Sequence, residues 1–442
     1  MTTPPPGGAA LGALRADTAL VRAVGTLALT AAIVNVTVGG GIFRAPSVLY
    51  AAMGAGAPLA FLAGAVAILP IALCFAVAGS RVGATGGPYS YTAAAFGTFA
   101  GFVAGALMWI TNVASSAGIS AALVDQIGNV VPAIATPGLR TATLVVLYTL
   151  LIALNAFGVK LGARAIVALA TLKLTPLFLL AGIGLWFVDW SQISVAVPSW
   201  AALGTSMVLV MFAYSGMETA LIPSGEVRDP ARDVPRATLA AVALVVLLYV
   251  SIQLVCQGVL GPALDGATAP VARAAGALWA PGFGLLIATA SVSMAGFLLG
   301  NLLGSSRLLY ALGRDGLLPR ALGQVTERHR VPLVAIVVHG GIACALAIGG
   351  TFERLALVSG GANCVVYVLV AAAAWQLQRR DVRGAGTPFH APGGALVPLL
   401  SIALMAAILA TLTRAEWSAI GVALVALVAI YLALDWRRRY QG

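Results

Sequence analysis

The chain has 442 residues, 60% hydrophobic and only 9% charged. A soluble domain carries about 25% charged residues, so this composition excludes a soluble globular protein and makes nearly all of the chain one polytopic membrane domain. The net charge of +11 does not signal a nucleic-acid partner, because the basic residues gather in alternate loops, as the positive-inside rule requires.

Residues 1–22 open with Thr2-Thr3-Pro4-Pro5-Pro6-Gly7-Gly8 and read as a disordered tail. They lack the basic-then-apolar pattern of a cleaved signal peptide. Twelve apolar segments of about spanning length follow: Val24–Tyr50, Ala57–Ser80, Tyr91–Gln126, Thr141–Gly158, Ala165–Val188, Leu203–Ser224, Ala237–Gly258, Phe283–Leu312, Pro332–Gly350, Leu355–Gln376, Leu396–Thr413 and Trp417–Trp436. Tyr91–Gln126 and Phe283–Leu312 exceed what a bilayer needs and read as tilted or partly protruding spans. An even number of spans puts both termini on one side. The loops on that side hold Arg81; Lys160 and Arg164; Arg228, Arg232 and Arg236; Arg314, Arg320, Arg328 and Arg330; Arg379, Arg380 and Arg383; and the Arg437-Arg438-Arg439 tail. The opposite loops hold only Arg140, Arg273, Arg354 and Arg414, so both termini are expected in the cytoplasm. Cys74, Cys256, Cys344 and Cys364 lie in apolar segments and read as free thiols acting as small apolar residues, with no disulfide framework.

Segment 1 carries Val38-Gly39-Gly40-Gly41-Ile42-Phe43, followed by Pro46. Each glycine costs a helix about 1 kcal/mol relative to Ala, and backbone groups freed in hydrocarbon cost several more unless satisfied. The triplet serves either close helix packing or a break that lines a cavity, where a new half-helix aims free N–H groups and a positive dipole end at an anion. Segment 6 carries a second interruption, Phe212-Ala213-Tyr214-Ser215-Gly216-Met217-Glu218, with Pro223 and Gly225 after it. Interrupted helices at matching positions of two halves point to the midplane site of a secondary transporter. The pair predicts a five-plus-five inverted repeat, over 23–190 and 191–378, with segments 11 and 12 and the basic tail, 379–442, as additions.

Several motifs carry a family resemblance. Gly39-Gly40-Gly41-Ile42-Phe43-Arg44-Ala45-Pro46 resembles the G-x-G-[IV]-F-x-x-P signature of the amino acid–polyamine–organocation (APC) transporters. Gly86-Gly87-Pro88-Tyr89-Ser90-Tyr91 is similar to their S/T-G-G-x-Y-x-Y stretch. Phe212 to Glu218, with Gly225-Glu226-Val227-Arg228-Asp229-Pro230 and Val234-Pro235-Arg236-Ala237, resembles their helix 6 and its cytoplasmic exit. The run from Ser305 through Arg314-Asp315-Gly316-Leu317-Leu318-Pro319 is similar to the end of their helix 8. The motifs fall in order over nearly the whole chain. The resemblance implies a LeuT-like fold and alternating-access transport of amino acids or related amines across the cell membrane, with no cofactor.

By that resemblance the substrate carboxylate meets the amides of Gly39, Gly40 and Gly41, and the substrate ammonium meets carbonyls near Phe212, Ala213 and Ser215. An ammonium is donor-only, so exposed carbonyls are its natural partners. Phe212 falls where relatives place an aromatic gate. Asn112, in Trp109-Ile110-Thr111-Asn112-Val113-Ala114, resembles a substrate-contacting asparagine of arginine/agmatine antiporters; its alternative role is an interhelical hydrogen bond. Those antiporters stack a helix 8 tryptophan on the guanidinium. Counting back from Asp315-Gly316-Leu317 without a gap puts Asn301 there, which argues for a small or medium neutral amino acid over a cationic amino acid or polyamine.

Lys173 stands inside an apolar segment, where an ionisable group costs about 2.5–3.5 kcal/mol on insertion scales and is a functional candidate by default. In relatives a lysine here takes the place that sodium fills in sodium-coupled transporters, and it acts either as a proton carrier or as a fixed cation; its alternative is snorkelling. Glu218 matches a glutamate proposed as a proton sensor, or else caps or pairs structurally. Arg44 lines the outer vestibule or snorkels outward. Glu226, Arg228, Asp229, Arg232 and Asp233 read as loop structure. His329, His339 and His390 have no metal-ligand spacing, and no catalytic constellation supports an enzyme. Coupling is proton symport or exchange; sodium coupling is disfavoured because Lys173 competes with the cation. A nontransporting sensor on the same fold is the reading from another class. No cysteine follows segment 3 on the outer side, so no disulfide-linked subunit is expected.

Overall fold

A computed structural model describes every residue but 1–23, 85, 158–162, 195–198, 223–226, 328, 330, 385 and 442, and describes the backbone alone at 163–170 and 437–441. The predicted tail thus lies outside the described residues, as do Lys160, Pro223, Gly225, Glu226, Arg328, Arg330 and the side chains of Arg164 and Arg437 to Arg439. Among the described residues the architecture is helical, with no strand beyond an isolated parallel bridge between Val24 and Val227.

In chain order the helices are α1 (Thr26–Thr37), α2 (Gly41–Met53), α3 (Ala57–Arg81), α4 (Pro88–Phe96), α5 (Thr98–Ile127), α6 (Pro137–Ala156), α7 (Ala163–Gly184) and α8 (Trp200–Tyr214). Then come α9 (Met217–Ala220), α10 (Pro230–Leu260), α11 (Pro270–Leu278), α12 (Gly282–Arg314), α13 (Leu333–Gly349), α14 (Phe352–Arg379), α15 (Leu396–Leu409) and α16 (Arg414–Gln441). Among the described residues, eight helical stretches are long and apolar enough to cross a membrane, and four shorter apolar helices accompany them, in segments 1, 5, 9 and 11. The chain is a multi-pass membrane protein.

Local chemistry accounts for many of the starts. Prolines open α3, α4, α6, α10 and α11, where their missing N–H removes no helical bond. Ser199 caps α8 by accepting from Ala202 N (3.3 Å), and Thr351 caps α14 by accepting from Arg354 N (3.4 Å).

One boundary differs from the sequence reading. Tyr91–Gln126 is not a single overlong span: it divides at Gly97, whose φ of 93° ends α4 and turns the chain into α5. Such a φ is readily adopted only by glycine, and a lone glycine in an apolar run gives no compositional sign of it. Phe283–Leu312 does form one continuous helix of 33 residues. The short α11, in the loop before it, escaped the segment count because nine residues are too few to span.

The helices arrange by depth of burial. In α5, 94% of the most apolar stretch is buried, against 6% in α16, so α5 is central and α16 peripheral. α10 packs along α3 and α1, α14 along α5 and α8, and α12 along α5 and α7. The apolar surface left outside on α6, α13 and α16 suits lipid. The fold thereby brings α1, α2, α5, α7, α8, α10, α12 and α14 around two interruptions in the chain.

Candidate functional site

Segment 1 breaks between α1 and α2. Val38 (ψ 62°) leaves the helical region, Gly39 N turns back to Thr37 O (2.8 Å), and α2 restarts at Gly41 without a side-chain cap. A broken helix frees carbonyls on one side and amides on the other. The two sets meet different fates here.

Four of the carbonyls, those of Asn35, Thr37, Val38 and Gly39, are taken by side chains. Lys173 Nζ on α7 donates to Asn35 O (2.5 Å) and Val38 O (2.9 Å). Tyr249 OH on α10 donates to Thr37 O (2.8 Å), and Ser293 Oγ on α12 reaches Gly39 O (2.7 Å) and Val38 O (3.3 Å). Lys173 and Ser293 are both buried. The ammonium thus sits at the negative end of α1, where a cation is favoured. The amides are bare: among the described residues, N–H of Gly40, Gly41 and Ile42 has no hydrogen-bond partner. Together with the positive end of α2, they form an anion-binding mouth.

Segment 6 breaks at Ser215 and Gly216 (φ 136°). Here the Gly216 amide is taken, while the Met217 amide has no partner among the described residues. Glu218 folds back so that both carboxylate oxygens accept from Gly216 N at 3.0 Å. The same carboxylate accepts from Asn363 Nδ2 (3.3 Å) and Tyr367 OH (3.1 Å) on α14. Ser215 N and Oγ both turn to Phe212 O, at 3.2 and 2.6 Å. The carbonyls of Ala213, Tyr214 and Ser215 have no partner among the described residues. They are acceptors suited to a donor-only ammonium.

The two breaks touch. A Cβ on Gly216 would lie 2.7 Å from Thr37 Cα, and one on Gly41 would lie 3.4 Å from Ala213 Cα. The approach needs glycine at 216, whereas a methyl group at 41 would only tighten the contact. Bare amides on one break therefore lie beside bare carbonyls on the other, an arrangement able to hold both ends of a zwitterion through backbone alone.

The predicted residues distribute unevenly around this point. Gly39, Gly40, Gly41, Lys173, Phe212, Ala213, Ser215 and Glu218 all stand at the two breaks. The Phe212 carbonyl is already engaged by Ser215, so the open acceptors begin one residue later, at Ala213. Phe212 packs its ring edge-on against Phe352 (5.8 Å, 76°). Asn112 and Asn301 sit off the breaks, in a network between α5, α12 and α13. Asn301 Nδ2 donates to Asn112 O and Ser116 Oγ (both 2.9 Å), Asn301 Oδ1 accepts from Ser305 Oγ (3.0 Å), and Ser116 lies 3.4 Å from His339 Nε2. The Asn301 amide is therefore committed to helix packing. Asn112 keeps a buried Nδ2 without a partner. On α12, Phe297, one turn before Asn301, lies against Gly39, and Ser293 bonds the Gly39 carbonyl.

Tyr249, Ser293, Phe297 and Ile119 were not singled out from sequence. Ser293, Phe297, Asn301 and Ser305 recur every fourth position, one stripe of α12, and that spacing was the available signal. Nothing in the sequence connects Tyr249 to Thr37.

Ties flank the breaks on both sides. Arg44 on α2 donates to Ala267 O (2.8 Å) and pairs with Glu353 on α14 (3.1 Å). At the arginine-rich end, Thr26 Oγ1 bonds Asp233, Arg228 N donates to Val24 O (3.0 Å), and Asp233 accepts from Asp229 N (3.3 Å). A small cavity lined by Ile33, Thr37, Ile68, Tyr214, Ala241, Val242 and Val245, reaching the breaks at Thr37 and Tyr214, lies among α1, α3, α8 and α10. It is apolar and offers no charge complement to a polar ligand.

A family model described as Amino acid permease matches residues 24–434. Over 323 residues, 70% of each chain, the sequence is 32% identical to an uncharacterized transporter of Mycobacterium tuberculosis. It is 24% identical to the branched-chain amino acid permease BcaP of Bacillus subtilis, covering 89% of this chain and 88% of that one. It is 25% identical to the serine/threonine exchanger SteT of the same organism, covering 88% and 90%.

Proposed function

The chain belongs to the amino acid permease family, and on that premise we propose that it is a secondary transporter carrying a small or medium neutral amino acid across the cell membrane by alternating access. The observation that carries this reading is the opposite polarity of the two open helix ends. Bare amides at Gly40, Gly41 and Ile42 suit a carboxylate, and bare carbonyls at Ala213, Tyr214 and Ser215 suit an ammonium. With both ends held by backbone, side chains are left to choose among amino acids. Two of its relatives are named for neutral amino acids, branched-chain in one and serine or threonine in the other.

The accompanying architecture is a LeuT-like five-plus-five inverted repeat, 23–190 and 191–378, with segments 11 and 12 and the tail, 379–442, added. Support comes from the matching breaks five segments apart. The arginine distribution supports cytoplasmic termini. Lys173 bonds the carbonyls of Asn35 and Val38, and a cation already in that cage argues for proton symport or exchange rather than sodium coupling.

The test is uptake by proteoliposomes containing the purified protein. Saturable, sodium-independent uptake of neutral amino acids is expected. An imposed inward proton gradient separates symport, which it accelerates, from exchange, which responds instead to unlabelled substrate inside. Binding without flux would replace this reading with the sensor, and uptake confined to arginine or amines would replace it with a cationic exchanger.

A further inference from the structure

We propose that the contact between His390 and Arg81 is a pH-sensitive latch at the arginine-rich end of the molecule. While the imidazole is neutral, the latch holds residues 386–390, ahead of α15, against the ends of α3 and α10; protonation opens it. The inference does not depend on what the two breaks bind.

Arg81, the last residue of α3, has a fully buried side chain, and a buried guanidinium needs acceptors. They come from the chain beyond α14. Asp381 N bonds Gln378 O (3.1 Å) and Val382 N bonds Leu377 O (3.0 Å), so α14 ends in a Schellman motif with Asp381 (φ 46°) where glycine is usual. That turn delivers Val382 O to Arg81 Nη1 (2.9 Å) and Asp381 Oδ1 to within 3.7 Å of the same nitrogen. Arg81 Nη2 lies 3.2 Å from His390 Nε2, and Arg81 Nε has no partner among the described residues. Two further contacts seat the chain on α3. Phe389 N donates to Ser80 Oγ (3.0 Å), and a methyl group on Gly384 would come within 2.9 Å of Arg81 O. On the side of α10, a methyl group on Gly386 would meet Ala231 Cβ at 3.2 Å and Asp229 Oδ1 at 3.7 Å. Those residues lead into Asp233, which ties α10 to Thr26.

The protonation state of His390 follows from this geometry. A guanidinium only donates, so the Nε2 facing it must accept, which puts the ring proton on Nδ1 and leaves the imidazole neutral. Protonation removes the acceptor and sets a second cation against a buried one. Histidine is the side chain whose charge ordinarily changes between pH 5 and 8. The neighbouring charges are otherwise engaged. Asp381 accepts from Arg383 Nε (2.8 Å), which holds its carboxyl below the usual range and keeps it ionised across that window. Arg81 and Arg383 stay cationic throughout. At the end of α14, Arg380 turns away to Ala95 O (3.0 Å) and Arg379 lies over the Trp375 ring (5.8 Å). At the start of α10, Asp229 stands against Gly386 and Asp233 is engaged by Thr26. The latch is therefore closed at the alkaline side of the window and lost as pH falls.

The experiment is amide hydrogen exchange of the purified full chain at about pH 7.5 and about pH 5.5, on the two sides of the histidine range. Each rate is divided by that of an unstructured amide at the same pH. Protection over residues 386–391 should fall by about 5-fold or more at the lower pH, the weight of one lost hydrogen bond. Protection over residues 229–234 should fall with it. His390→Gln keeps an acceptor that does not titrate, so it should hold the parent's protection at both pH values. His390→Ala should lack that protection at both. His390 is exposed, so neither substitution disturbs the core.

Equal protection of the parent at both pH values would overturn the latch. The same fall in His390→Gln would also overturn it, because the pH dependence would then belong to another group. Parent-like protection of His390→Ala at the higher pH would show that the bond to Arg81 holds nothing in place. Unchanged exchange over residues 229–234 would overturn the link to α10.

Discussion

The two breaks solve the same problem in opposite ways. At segment 1 a side-chain cation, Lys173, with Tyr249 and Ser293, engages the carbonyls of Asn35, Thr37, Val38 and Gly39 and leaves the amides of Gly40, Gly41 and Ile42 open. At segment 6 a side-chain carboxylate, Glu218, closes the amide end at Gly216 and leaves the carbonyls of Ala213, Tyr214 and Ser215 open. Each charge complements the dipole end it covers. The comparison teaches that the two ionisable residues at the breaks do not themselves have to touch a ligand held there. Each is bonded to backbone, and the end that it leaves bare is the one available for binding.

Three substitutions probe that comparison. Lys173→Met has the largest expected effect. Lys173 is the donor to Asn35 O, and leaving that carbonyl bare in the interior costs about 1–3 kcal/mol. The expected outcome is a lower unfolding midpoint together with loss of uptake. Normal stability and uptake in the variant would break the comparison at segment 1.

Glu218→Gln comes second. The side chain keeps its size, but a neutral amide oxygen replaces the charged acceptor of Gly216 N, a loss of about 1 kcal/mol. Denaturant unfolding reads the stability term, and the affinity for substrate should fall in parallel because the Ala213–Ser215 carbonyls are no longer held in place. A stability loss with unchanged affinity would reduce Glu218 to a cap with no bearing on the site.

Arg44→Gln, at the tie to Glu353, comes last. Those side chains are 14% and 37% exposed, and a partly exposed pair contributes about 0.2–1 kcal/mol, screened by salt. A small, salt-sensitive shift is expected. A shift as large as that of Lys173→Met would mean that the outer tie, and not the closing of helix ends, dominates the region.

The breaks themselves were legible in the sequence because three consecutive glycines, and Ser215-Gly216, are poor choices inside apolar segments. Lys173 and Glu218 were legible because charge is costly at that depth. Their partners were not. Lys173 meets Asn35 and Val38 across more than 130 residues, and a lone serine or tyrosine such as Ser293 or Tyr249 has many uses in a membrane helix. Asn301 was reached by counting along a motif. The count does not reveal that the Asn301 side chain bonds Asn112 O and Ser116 Oγ across the helix pair. Gly97 escaped for a related reason: its positive φ, not its surroundings, divides α4 from α5.

The most direct measurement compares a bound amino acid with two truncated versions of itself, the amide, which lacks the carboxylate, and the deaminated acid, which lacks the ammonium. Ligand-induced thermal stabilisation of the purified protein is the readout. Ligand at about 100 times its dissociation constant adds about 2.7 kcal/mol of stability. If the two open helix ends hold the two ends of a zwitterion, the parent amino acid stabilises and neither truncated version does at the same concentration. Stabilisation by the amide equal to that of the parent would contradict the role of the Gly40–Ile42 amides, and by the deaminated acid that of the Ala213–Ser215 carbonyls.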